Sequence, residues 1–376
     1  MEPRFEQVCQ WANLLRAYRQ AARAKRGRAD VALFEYRLED NLVALRDALV
    51  SGTYEPGVYR SFVIHEPKRR VISAAPFRDR VVHHALCQVI EPLFERSFVR
   101  DTFANRVGFG THSALDRAQR LARRHRYVLQ CDIRQFFPSI DHEILFASLT
   151  STIRDERVRA LVRAIIETGR HVVDHEYDMV YFPGDDLFAV DRPRGLPIGN
   201  LTSQFWANVY LNGFDHFVKR ELRCPAYVRY VDDLLLFGED RRTLWDWKHA
   251  VGARLERVRL RLHQGAHPRP VAEGFPFLGF VVFPWRRRLK RRKAVFWRRR
   301  LKRLVAAHAA GRVPPAAVTA SVRGWVNHAR YGNTVGLRKA LLRDVVLRPM
   351  NRPAIVHAAR GERWDRCGIM PAHDRG

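Results

Sequence analysis

Three aspartates are the residues of this 376-residue chain best placed to do chemistry. Asp132 follows an apolar run from Tyr127 to Cys131, and Asp232-Asp233 stand between two others, Tyr227–Val231 and Leu234–Phe237. Clustered carboxylates suit hard divalent cations. Two such cations can activate an attacking hydroxyl and stabilise a departing phosphate oxygen, as transfer of a nucleotidyl group requires. The spacing predicts a strand ending at Asp132 and a tight hairpin with both other carboxylates at its tip. If the strand and hairpin are neighbours in one sheet, the three carboxylates meet at its edge. An Asp-Asp pair by itself usually marks a solvated turn, and Asp185-Asp186 is read that way.

The rest of the chain must hold these groups and neutralise what they act on. With 67 Lys and Arg against 39 Asp and Glu, the formal charge is +28, which favours a polyanionic partner, most commonly nucleic acid. Apolar residues make up 47%, ample for a folded core. The five cysteines stand singly, without a Cys-x-x-Cys pair, and read as reduced structural thiols. No apolar run approaches the roughly 20 residues of a membrane span, and no N-terminal signal pattern is seen, so a cytoplasmic location without membrane attachment is expected.

Residues 1–50 read as a helical extension. Short apolar runs from Tyr54 to Ile72, joined by the basic turn Lys68-Arg69-Arg70, read as strands. A helix is expected from about Arg80 to Phe94, then a Gly-rich loop from Asp101 to Thr111 leading into another helix. Residues 170–194 are irregular. The polar side chains of Gly-Asn-Leu-Thr-Ser predict a capped helix start just after Gly199. Phe275–Phe283 is one further apolar run. From Trp285 to Arg303 there are twelve basic residues and no acidic one, interleaved with Trp285, Phe296 and Trp297. Basic side chains beside aromatics suit a nucleic-acid groove. Residues 349–376 read as a loose tail.

Tyr230-Val-Asp-Asp233, preceded by Gly195-Leu-Pro-Ile-Gly-Asn-Leu-Thr-Ser-Gln204 and by Cys131-Asp-Ile-Arg-Gln-Phe-Phe-Pro-Ser-Ile-Asp141, resembles the ordered motifs of reverse transcriptases. Phe77-Arg-Asp-Arg-Val-Val-His-His-Ala85, Arg106-Val-Gly-Phe-Gly-Thr-His112, Phe277-Leu-Gly-Phe280 and Arg323-Gly-Trp-Val-Asn-His328 fall in the same order, so the resemblance covers roughly residues 55–335. It implies an α+β right-hand polymerase fold: fingers over 51–125, a palm of antiparallel sheet plus helices over 126–284 with an insertion near 170–195, and a basic helical thumb over 285–348. The implied activity is RNA-directed DNA synthesis using two Mg2+ ions, or Mn2+. The implied partners are a template RNA, a DNA or RNA primer and deoxynucleoside triphosphates.

Residue by residue, the resemblance implies that Asp132, Asp232 and Asp233, with the Ile133 carbonyl, hold the metals. Lys68 and Arg70 would hold the incoming triphosphate, and Gly199 would let backbone approach the nucleotide. Phe137 would exclude a ribose 2′-hydroxyl by steric clash, with Phe136 beside it as the core ring or the alternative gate. Tyr230 would support the hairpin and primer end. Ile198 stands where many relatives carry a glutamine toward the nucleotide. Arg291, Arg292, Arg298, Arg299 and Arg300 would grip nucleic acid. A lysine common in the stretch matching Leu262–His267 is missing here, leaving His267, Arg269 or water to act in its place.

The Ile-Gly-Asn-Leu-Thr-Ser-Gln version is similar to that of diversity-generating retroelement enzymes, which copy a template RNA into mutagenised cDNA with a small basic accessory protein. Group II intron and retron enzymes usually show Gln-Gly and end in Ser-Pro. A retron-type or antiviral-defence enzyme is the alternative within the same chemistry. A catalytically idle RNA-binding scaffold is the alternative outside it.

Overall fold

The computed structural model describes residues 3–65, 69–343 and 345–347. Two compact units divide between Arg288 and Leu289. Lys68 and residues 349–376 lie outside the described residues.

The first unit is built around a four-stranded antiparallel sheet. β3 (Tyr127–Asp132) and β5 (Asp233–Gly238) are its central strands, flanked by β4 (Tyr227–Tyr230) and β6 (Pro268–Pro270), in the order β4-β5-β3-β6. A hairpin of β1 (Arg60–Ile64) and β2 (Arg70–Ala74) stands apart from it. Leu234 to Phe237 are buried one after another. That burial on both faces explains why the sequence reads as an unbroken apolar run rather than an alternation. The helix Arg241–Glu256 contacts β3, β5 and β6, and Thr111–Ala122 contacts β4 and β5.

The Phe275–Phe283 run is a hairpin rather than one element. β7 (Phe275–Phe277) pairs with β8 (Phe280–Val282), and β9 (Arg287–Leu289) joins them. The two-residue turn, Leu278-Gly279, has φ of 44° and 93°, the doubly positive pattern of a type I′ turn. A turn this tight leaves no polar gap in the apolar text.

Four helices occupy the first fifty residues. The helix Trp11–Ala22 packs its Leu14, Ala17, Tyr18 and Ala21 face against the helix Phe77–Glu95. Between 170 and 194 only two short 3-10 turns form. Asp185 within that segment is not a solvated turn residue. Its side chain is 4% exposed and pairs with Arg192 at 2.7 Å, because the segment folds back over Asp141 and Arg259. Cys9, Cys87, Cys131 and Cys224 are buried and free, with burial as the first cause raising each thiol pKa. Among the described residues no helix is long and apolar enough to cross a membrane.

The second unit contains the helices Arg291–Ala309, Pro315–Ala329 and Val335–Leu342. Trp297 and Trp325 stack between the first two with centroids 5.1 Å apart and planes 6° apart. Trp297 is therefore a packing residue, not part of an aromatic nucleic-acid face. A helix repeats every 3.6 residues, so one face of this basic stretch, with Trp297 and Leu301, points inward.

Candidate active site

Strand register places the aspartates. In the β3–β5 ladder the Asp132 and Asp233 Cα atoms are direct partners, and in β4–β5 Tyr230 partners Asp233. Asp232 lies in the two-residue loop between, its carbonyl accepting the Ile133 N–H at 3.3 Å. All three carboxylates thus stand at one end of adjacent strands. Asp132 is exposed, and Asp232 and Asp233 are half-buried. Burial, and next the charge of Asp132, raise the Asp232 carboxyl to about 6, while Arg70 acts in the opposite sense.

The loop carrying Asp232 is strained. Val231 has φ +59°, an outlier for a β-branched residue that costs on the order of 1–3 kcal/mol. A positive φ at only the first loop position matches a type II′ turn, which ordinarily favours glycine there. Arg229 holds it: the Nη1 donates to the Val231 carbonyl at 3.2 Å and to Asn208 Oδ1 at 3.1 Å. The rest of that guanidinium meets Asp215, which also accepts from the Thr102 and Tyr227 hydroxyls, both at 2.8 Å. Arg229 and Asp215 are 0% exposed. Sequence reading missed this network. Its one local signal was an arginine inside the apolar run Tyr-Val-Arg-Tyr.

Around the carboxylates, Phe136 is buried in the core and Phe137 is half-buried, their rings edge-to-face at 5.5 Å. The Phe137 carbonyl accepts the Leu196 N–H at 2.9 Å, and the Ile198 carbonyl accepts the Ser73 N–H at 2.9 Å. Phe137, Ile198 and β2 are thereby linked through backbone. Gly199 has φ +120°, and an added Cβ would lie 2.8 Å from Ile72 Cγ2, so only glycine fits. Arg70, the first residue of β2, is exposed. The Tyr230 hydroxyl meets Thr111 Oγ1 at 3.0 Å, anchoring the Gly-rich loop beside the hairpin.

The helix start after Gly199 is at Leu201, but its Asn200 does not cap it. The amide instead donates to the Ser73 and Pro197 carbonyls and accepts the Ala75 N–H. Tertiary partners outcompete the local one.

On the far side of β3, a cleft is lined by Asp132, Asp233, His263, Gln264 and Arg269. The His263 N–H donates to the Asp132 carbonyl at 2.7 Å. His267 is exposed, with its Nδ1 on the Gly265 carbonyl. Of the two residues weighed for the missing lysine, only Arg269 lines the cleft, because β6 pairs Arg269 with Val128 of β3. Arg291, Arg292, Arg298, Arg299 and Arg300 are exposed on the first helix of the second unit.

Among the described residues no group of three or more His, Cys, Asp and Glu side chains is drawn together tightly enough to hold a metal ion. The donor chemistry nonetheless fits a hard cation. Asp132 and Asp232 are close enough for the charge of one to raise the other, and a bound cation would remove that repulsion.

The family described as "reverse transcriptase (RNA-dependent DNA polymerase)" matches residues 64–282, more than half of the chain. The chain belongs to that family, and its mixed antiparallel sheets and helices are the right-hand polymerase fold. It is 26% identical over 227 residues to protein YkfC of Escherichia coli, covering 58% of this chain and 52% of that one. It is 25% identical over 183 residues to the group II intron-encoded protein LtrA of Lactococcus lactis, covering 48% and 28%. The chain thus spans about half the length of the first and about a quarter of the second. Apo telomerase from Candida tropicalis aligns over 63% of this chain and 49% of its own at 10% identity, with a TM-score of 0.44.

Proposed function

We propose that this chain copies an RNA template into DNA by nucleotidyl transfer. The observation that carries the reading is the direct pairing of Asp132 with Asp233, with Asp232 beside them in a turn held from beneath by a buried Arg229. Asp132, Asp232 and Asp233, with the Ile133 carbonyl, would hold two Mg2+ or Mn2+ ions, which when bound activate the primer hydroxyl and stabilise the leaving pyrophosphate. Ile133 lies in a bridge whose bonds run through Arg134 and His263 instead, which keeps its carbonyl clear of that bridge.

The chain's own groups do the positioning. Phe137 walls the sugar, Gly199 brings backbone close to the nucleotide, Lys68 and Arg70 balance the triphosphate, and Tyr230 supports the primer end. The unit to Arg288 comprises N-terminal extension, fingers and palm. The arginines of the second unit act as a thumb on template–primer phosphates. Primer extension on an RNA template by purified protein, with and without Mg2+, tests the reading. Metal-dependent DNA synthesis is expected, and its absence at any divalent metal would overturn it.

In its finer form, the reading is an error-prone enzyme of a diversity-generating retroelement, assisted by a small basic accessory protein. Ile198 and the following Gly-Asn-Leu-Thr-Ser support this. The similarity to an intron-encoded protein favours a second reading, an RNA-binding scaffold that assists splicing. Tight RNA binding without any extension would select the scaffold. Extension with frequent errors opposite template adenine would select the retroelement.

A further inference from the structure

A second cluster of charge lies beside Gly199, where the N-terminal extension meets the helix Phe77–Glu95. A cavity there is lined by Lys25, Arg80, His83, His84, Asn200 and Gln204. Its cations are poorly neutralised. Lys25 is lowered first by burial and then by Arg80 and Arg28, with Asp30 the acid opposing them. The Arg80 guanidinium reaches Asp30 only at 4.0 Å, and its Nε is spent on the Ala75 carbonyl.

Two independent features of this cavity suit a ligand. His83 is 2% exposed and its Nδ1 has no hydrogen-bond partner, an arrangement that is costly for a buried polar atom. The helix Leu201–Tyr210 also starts at the cavity without a side-chain cap, because Asn200 spends its amide on β2 and Pro197. An uncapped helix start presents free N–H groups and the positive end of the helix dipole, which together favour an oxyanion. The chain turns sharply to deliver Lys25: Ala24 has φ +59°, and the Lys25 N–H closes the turn on the Ala22 carbonyl.

We propose that this cavity binds one phosphate group, seated on the uncapped start of the helix Leu201–Tyr210 and held by Lys25, Arg80 and His83. The group is either a backbone phosphate of a bound RNA strand or a phosphate of a free nucleotide. The first source rests on the proposed function, and the site itself does not. At neutral pH His83 and His84 are neutral, since burial lowers them to about 3 and about 4. They therefore serve as hydrogen-bonding groups, and Lys25 and Arg80 carry the charge.

The test uses the full chain in EDTA, so that no DNA synthesis is required. Binding of a single-stranded RNA oligonucleotide is measured by fluorescence anisotropy at several salt concentrations, and binding of a fluorescent deoxynucleoside triphosphate at one. Lys25→Gln changes an exposed side chain, and Arg19→Gln serves as a control for loss of charge outside the cavity. If a strand phosphate occupies the site, Lys25→Gln makes the salt slope shallower by about 0.7 and leaves triphosphate binding unchanged. If a nucleotide phosphate occupies it, the slope holds and triphosphate affinity falls several-fold. No change in either measurement, or an equal change in Arg19→Gln, overturns the proposal. A chain that makes no DNA yet shows the slope change would refute the polymerase reading and leave this site standing.

Discussion

The Asp215 carboxylate meets Arg229 with both oxygens, at 2.8 Å from Nε and 2.6 Å from Nη2, and neither side chain has any exposure. This pair is the floor of the candidate site, since the remaining guanidinium nitrogen holds the strained turn at Val231. Removing one partner leaves an uncompensated buried charge. Arg229→Met should therefore cost about 3–5 kcal/mol, read by chemical denaturation. Arg229→Met with Asp215→Leu should recover part of that stability, since the buried Thr102 and Tyr227 hydroxyls lose their acceptor, but not DNA synthesis, because the Val231 carbonyl is still released. Full recovery of both would show that the network only packs the core.

Asp232 carries a second, oppositely directed cost. Its folded pKa of about 6 lies above the ordinary 3.8, so the native state binds the extra proton between those values. Stability is lost as pH rises through that window, by up to about 3 kcal/mol. In EDTA at pH 7.5, Asp232→Asn should therefore melt higher than wild type, and the gap should close below about pH 4. The same variant should make no DNA with Mg2+ present while still binding RNA. Extension at the wild-type rate would remove Asp232 from the chemistry.

Phe137 is half-buried where Phe136 is fully buried, so trimming each should have different effects. Phe137→Ala should raise ribonucleotide incorporation relative to deoxyribonucleotide in single-nucleotide extension. Phe136→Ala should mainly destabilise, by roughly 3–5 kcal/mol. A sugar preference that moves with Phe136 instead would identify the other ring as the gate.

At Ile198 the backbone is held by its bond to Ser73, so a new side chain need not move it. An amide can hydrogen-bond where isoleucine can only pack, and one such bond contributes about 0.5–1.5 kcal/mol. Ile198→Gln should therefore lower misincorporation several-fold to about tenfold. Sequencing cDNA made on one defined RNA by both proteins decides it. Equal error spectra would leave Ile198 a packing residue.

Arg298, Arg299 and Arg300 are exposed on a helix whose neighbouring Trp297 is locked inside its own unit. Neutralising all three should weaken template–primer binding and flatten its salt dependence by about one unit for each phosphate no longer neutralised. The unit should remain folded, since the tryptophan stack is untouched. An unchanged slope would mean these arginines meet only solvent.

The elements that position the aspartates were legible in the sequence because their signals are local. Largely apolar runs that end at Asp132 or flank Asp232-Asp233 read as strands ending in carboxylates, and a two-residue break allows little but a hairpin. The sequence alone therefore determined that three carboxylates would stand at strand ends. Which strands are neighbours was decided by the tertiary structure, and with it the pairing of Asp132 and Asp233, since register depends on pairing between residues a hundred positions apart. The same holds for the misread positions. Asn200 looked like a cap and Asp185 like a solvated turn because their local options are good. Asn200 found stronger partners in β2, and Asp185 found them in Arg192 and in the sequence-distant Arg259. Arg229 and Asp215 left almost no trace for the same reason. A buried ion pair is stable only when both charges lose water together, and that condition exists only once the helix bearing Asp215 is packed beneath the hairpin.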